Sequence, residues 1–106
     1  MGVYAIAAYR PHAGKATMLL ECVRDHMPVL REQGLITDRP AHVMRAKDGT
    51  IVEVFEWQSG DAIERAHSNA AVRALWERFG QASDYVPIGT LPECSDMFAN
   101  FEAVDV

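Results

Sequence analysis

The sequence predicts one α+β domain built in the order strand, helix, strand, strand, helix, strand. Three observations predict it. Val3 to Arg10 is an apolar, β-rich stretch closed by Pro11, apolar positions between Lys15 and Gln33 recur at helical spacing, and Asp48-Gly49 separates two alternating stretches as a hairpin turn would. At 106 residues the chain has the size of one domain and is too short for two, so these elements share one core across 1–106.

The first strand runs from Val3 to Arg10, and Pro11, His12, Ala13 and Gly14 carry the chemistry of a turn. In the helix that follows, Leu19, Cys22, Val23, His26, Met27 and Leu30 form the apolar stripe, and Gly34 stands where a C-terminal cap belongs. Pro28 removes a backbone donor inside that helix, so a kink or restart is expected there. The second and third strands cover 41–47 and 50–58. A two-residue turn at Asp48 and Gly49 would set Lys47 opposite Thr50, Met44 opposite Glu53 and His42 opposite Phe55. That register puts His42, Met44, Ile51, Glu53, Phe55 and Trp57 on one face, with Val43, Arg45, Val52, Val54 and Glu56 on the other.

Ser59 can cap a second helical region, and the helix dipole favours Asp61 in its first turn. The apolar phase then breaks: Ala62, Ile63 and Ala66 form one stripe, Val72, Leu75, Trp76 and Phe79 another, with the good caps Ser68 and Asn69 at the join. Two short helices in tandem, 60–67 and 70–82, are expected. Tyr85 to Leu91 reads as a fourth strand at a sheet edge, because Pro87 cannot donate to a ladder. Residues 92–106 read as a C-terminal extension, with one helical turn over Glu93 to Met97 and an extended piece from Phe98 to Val104.

This order is the ferredoxin-like split β-α-β pattern, with a four-stranded antiparallel sheet. Helices would cover one face only, and the other should be polar in a monomer. It is not polar: Val3, Ala5, Ala7 and Tyr9 alternate with Tyr4, Ile6 and Ala8, and both faces of the hairpin are apolar. A second copy of the sheet is the expected cover, since two-fold symmetry uses one surface twice. Such a homodimer would bury at least the ~1,600 Å² of a standard contact, with Phe98 and Phe101 clamping the partner subunit.

Charge and composition exclude several classes. Ten basic against 15 acidic residues give a net charge of -5, with no basic cluster, so a nucleic-acid partner is not expected. The longest apolar run, Val3 to Tyr9, is far short of a membrane span and lacks the basic start of a signal peptide; a soluble, cytoplasmic protein without a membrane partner is expected. Cys22 and Cys94 lack CxxC spacing and read as reduced thiols. His12, His26, His42 and His67 have no local metal-site spacing, and no Gly-rich phosphate loop or GxSxG elbow is present, so neither a metal nor another cofactor is expected.

The segment Val52-Glu53-Val54-Phe55-Glu56-Trp57-Gln58-Ser59, followed by Ala62-Ile63, Ala66-His67, Asn69, Val72 and Leu75-Trp76, resembles the dimeric α+β barrel proteins of the antibiotic-biosynthesis-monooxygenase-like group. The shared features are a Trp on the third strand and a broken second helix, over residues 2–92. The resemblance implies a homodimer with a pocket between sheet and helices, and a cofactor-independent monooxygenase acting on a small aromatic or polyketide-like compound. The same scaffold also carries isomerases, decarboxylases, stress-response proteins and members without known activity. At positions where haem-degrading members hold an Asn, a Trp and a His, this chain has Ala7, Ala66 and Trp76, which removes the axial ligand. Of four residues used by the quinone-forming members, Trp57 alone is kept; the others fall on Glu53, Ile63 and Trp76.

Six residues are the candidates for chemistry. Trp57 ends the third strand where the resemblance puts the pocket, and with Phe55, Ile63 and Trp76 it forms the expected substrate-binding set; its alternative role is core packing. His67 closes the first short helix, where the dipole favours an imidazolium, and the alternative is a capping role. Glu53 stands among apolar residues on a central strand, so it must be paired or protonated. It is expected either to pair, with His42 across the hairpin or with an Arg, or to act beside His67 as the catalytic proton acceptor. Glu56 falls on the opposite face and reads as a solvated or bridging charge; His42 reads as a core or interface residue.

Overall fold

The computed structural model describes residues 2–106. Nine residues, Val3–Pro11, form β1, followed by α1 (Ala16–Glu32), β2 (His42–Arg45), β3 (Ile51–Trp57), α2 (Gly60–His67), α3 (Ala70–Ala82) and β4 (Ser83–Val86). Two 3-10 turns, Ile88–Thr90 and Pro92–Ser95, lead to β5 (Glu102–Ala103). The sheet is antiparallel with five strands in the order β4-β1-β3-β2-β5, compatible with a ferredoxin-like α+β domain. Four strands were too few. Glu102 and Ala103 pair with Arg45 and Met44 of the same chain, so this part of the extension adds a strand along β2.

Each helix end follows from local chemistry. Gly34, at φ 70, closes α1: its N–H donates to the Arg31 carbonyl at 3.0 Å and the Leu35 N–H to Leu30 at 3.0 Å. A positive φ is cheap only for a residue without Cβ, which is why Gly occupies this position. The helix runs unbroken through Pro28, whose side is exposed, so no restart occurs. Ser59 Oγ accepts from Ala62 N at 3.1 Å and starts α2, and Asn69 Oδ1 accepts from Val72 N at 3.1 Å and starts α3 as a separate helix.

The hairpin departs from expectation by one residue. Ala46 N–H donates to the Thr50 carbonyl at 2.8 Å, and Gly49 N–H to the Ala46 carbonyl at 3.0 Å, so the loop is Lys47, Asp48 and Gly49, with Gly49 at φ 92. Asp48 Oδ1 holds this loop by accepting from Thr50 N at 2.9 Å. His42 therefore pairs with Val54, and Val43 with Glu53. A slip of one residue turns over every side chain of a strand, so His42 and Met44 move to the face away from the helices. His42 is exposed there and is no partner of Glu53.

The helix-covered face bears Ala5, Ala7, Tyr9, Ile51, Glu53, Phe55 and Trp57, packed against Leu19, Cys22, Val23, Leu30, Val72, Leu75 and Phe79. On the other face Ala8, Ala46, Val52 and Leu91 form a smaller cluster, with Met44, Val86, Ile88 and Phe101 around it. β4 ends before Pro87, and the chain turns over this face in place of the longer strand expected to Leu91. Phe101 packs on its own chain and Phe98 is exposed. Glu56 is buried against Arg39, at 3.0 Å, and the Thr37 hydroxyl, at 2.8 Å, so it is a bridging charge. No helix among the described residues is long and apolar enough to cross a membrane.

Candidate functional site

A cleft of about 990 Å³ opens between the helices and the sheet. Alternation along β1 and β3 brings Ala5, Ala7, Tyr9, Phe55 and Trp57 to its floor, while α3 supplies Ala70, Arg73, Ala74, Trp76 and Glu77. His26 of α1, His67 at the end of α2 and Tyr85 of β4 complete the wall. The small β1 side chains leave the room, and the aromatic rings make it a slot for a flat, apolar body.

At the inner end a chain of hydrogen bonds crosses four elements. Tyr9 OH donates to Glu53 Oε1 at 2.8 Å, and the same oxygen lies 2.7 Å from His26 Nδ1. Trp76 Nε1 donates to His26 Nε2 at 3.2 Å. An indole N–H can only donate, so Nε2 accepts, the ring proton sits on Nδ1, and Nδ1 donates to the carboxylate. Glu53 Oε2 has no partner among the described residues although Glu53 is fully buried. Phe79 packs behind the group, with ring centres 4.8 Å from Tyr9 and 5.1 Å from His26.

Electrostatics follow from this burial. The Tyr9 phenol is pushed well above its ordinary value, first by burial and then by the Glu53 charge and the bond to it. Burial likewise raises Tyr85 and the thiol of Cys22. For Tyr9 the sign is that of a group whose folded value exceeds the unfolded one: its contribution to stability is complete below about pH 10 and falls as pH rises beyond that. Tyrosinate absorbance followed through an alkaline titration should show Tyr9 ionising only together with unfolding; early ionisation in the folded protein would contradict the buried bond.

Of the sequence-predicted site residues, Phe55, Trp57, His67 and Trp76 meet in the cleft wall. His67 is held by its own helix, Nδ1 lying 2.7 Å from the Ile63 carbonyl, and its ring meets Trp76 edge-on at 5.1 Å. Ile63 of α2 is not among the lining residues; it packs against the core cluster that holds Leu35, Ile36, Phe55 and Trp57. Glu53 is not among the lining residues; it lies behind the wall and is joined to it through Tyr9 and His26. Tyr9, His26, Arg73 and Tyr85 were missed as site residues. His26 carried a signal all the same: a polar residue in the apolar stripe of α1 needs a buried partner, and Glu53 in the apolar face of β3 needs one too. Among the described residues no group of three or more His, Cys, Asp or Glu side chains could hold a metal ion. Neither a family model, nor a curated protein, nor a solved structure matches the chain.

Proposed function

We propose that the cleft binds a small planar aromatic or polyketide-like compound and takes a proton from it, as in a cofactor-independent monooxygenase of the antibiotic-biosynthesis-monooxygenase-like group. One observation carries the reading: the Glu53–His26 hydrogen bond of 2.7 Å at the inner end of an aromatic slot. A carboxylate bound to Nδ1 orients the ring and stabilises the imidazolium that forms when Nε2 accepts a proton. His26 is thus the catalytic base, Glu53 its positioning residue, and His67 a second imidazole in the wall. Loss of the proton makes the ligand electron-rich enough to react with oxygen. When a ligand CH2 becomes a carbonyl, one atom of O2 stays on carbon and the other leaves as water, and the ligand supplies all four electrons.

Oxygen uptake with a panel of phenols and hydroquinones tests this. The wild type should exceed buffer, and His26→Gln should fall at least about 100-fold below it, the usual worth of a positioned base. Wild-type uptake equal to buffer would exclude the monooxygenase. The indole on His26 Nε2 favours a second reading, a non-catalytic protein that binds or sequesters the same ligands. Ligand-dependent melting without turnover is its signature.

The assembly belongs to the same reading. Tyr4 and Ile6 are each 56% exposed on the helix-free face, beside half-buried Val54, and this apolar area supports a homodimer through that face. Sedimentation should give twice the chain mass, and Ile6→Asp, which puts a carboxylate on the exposed apolar face of each copy, should return it to one. A wild type that sediments as a single copy removes the dimer.

A further inference from the structure

We infer that Trp76 is a gate on His26, and that a ligand opens it by presenting its own hydrogen-bond donor to Nε2 in place of the indole N–H. The inference rests on the ligand-binding reading of the cleft, but not on any reaction with oxygen. His26 has two ring nitrogens and one is committed, since Nδ1 is bound to Glu53 at 2.7 Å. Nε2 is the remaining one, and the Trp76 indole occupies it at 3.2 Å, the longest bond of the chain from Tyr9 to Trp76.

The two ends of that bond differ in freedom. His26 is buried among Phe55 and Phe79, and it cannot turn without opening the core. Trp76 is half-buried in the cleft wall, with its ring edge against the exposed His67. A rotamer change of Trp76 gives up its packing on the edge of the two core clusters, but it exposes Nε2 to the cleft without moving His26.

What can replace the indole is set by the tautomer. With its proton on Nδ1, His26 offers only a lone pair at Nε2, so the incoming group must be a hydroxyl, amide or ring N–H. An ether or carboxylate oxygen brings a second lone pair to that atom and leaves a buried acceptor unpaired. The aromatic floor of Tyr9, Phe55 and Trp57 selects a flat body behind the donor. The ligand class is a planar, apolar molecule with one protic group at its leading edge.

Calorimetric titration with 2-naphthol and 2-methoxynaphthalene, which share a ring system and differ in the donor, tests the gate. The wild type should bind the naphthol more tightly, but by less than the roughly tenfold that one hydrogen bond of ordinary net worth carries, because the indole bond is given up in exchange. Trp76→Phe keeps an aromatic ring and removes the competing N–H, so it should raise the ratio of naphthol to ether affinity severalfold, whatever the smaller ring does to both. In wild-type protein the Trp76 indole N–H resonance should shift with naphthol and not with the ether, a readout that stands even if the variant fails to fold. Equal affinities with an unmoved indole resonance, or equal tightening of both compounds in Trp76→Phe, would overturn the gate and leave the cleft as a binding site. Binding of neither compound would overturn both.

Discussion

Glu53→Ala is expected to melt about 15 °C below the parent protein, a loss of about 3 kcal/mol in a domain of this size. Two buried donors, the Tyr9 hydroxyl and His26 Nδ1, lose their shared acceptor. The penalty is the desolvation of unpaired groups, reduced by the relief of no longer burying a carboxylate whose Oε2 is unpartnered. Glu53→Gln separates the two effects. Its amide oxygen still accepts at the Oε1 position, so the melting temperature should stay within a few degrees of wild type, whereas the charge that stabilises a His26 imidazolium is gone. Thermal unfolding of both variants checks the pair. An Ala variant that melts with the wild type would show that the buried bonds contribute nothing.

Phe79→Ala should cost about 3–5 kcal/mol, the usual range for emptying a fully buried aromatic site. That is a large part of the total stability of a small domain. Phe79 joins α3 to α1 and the sheet, touching Tyr9 and His26 at once, so its loss also removes the packing that holds these two rings at Glu53. Denaturant unfolding measures the cost, and Phe79→Leu should recover most of it because it refills most of the volume. A Phe79→Ala midpoint unchanged from wild type would mean that α3 does not rest on this contact.

The elements were legible wherever one local rule was enough. The α2–α3 break could be read from Ser68 and Asn69 because a cap is a bond between a side chain and the next turn, within three residues. The end of α1 could be read from Gly34 for the same reason. The hairpin register could not. Asp48-Gly49 suits both a two-residue and a three-residue loop, and the choice rests on whether Ala46 or Lys47 pairs with Thr50, which local sequence leaves open. That one residue decided whether Met44 or Val43 stood opposite Glu53, and so whether His42 shared its face.

Most of the candidate site was legible as residue types, and less of it as partnerships. Strand alternation, a short-range pattern, put Phe55 and Trp57 on one face, and the resemblance added Trp76 beside them; the structure lines one cleft with these three and His67. The pairing of the tail with β2 was not legible, because it spans nearly sixty residues. Composition and periodicity were thus sufficient for the α+β class, the helix boundaries and the oddity of a carboxylate in an apolar strand. Which groups answer that carboxylate emerged from packing alone. Tyr9, His26 and Trp76 lie 44, 27 and 50 positions from their hydrogen-bond partners, and bonds of that span exist only after sheet and helices have closed on one another, since no local propensity encodes which distant donor will be facing a buried acceptor.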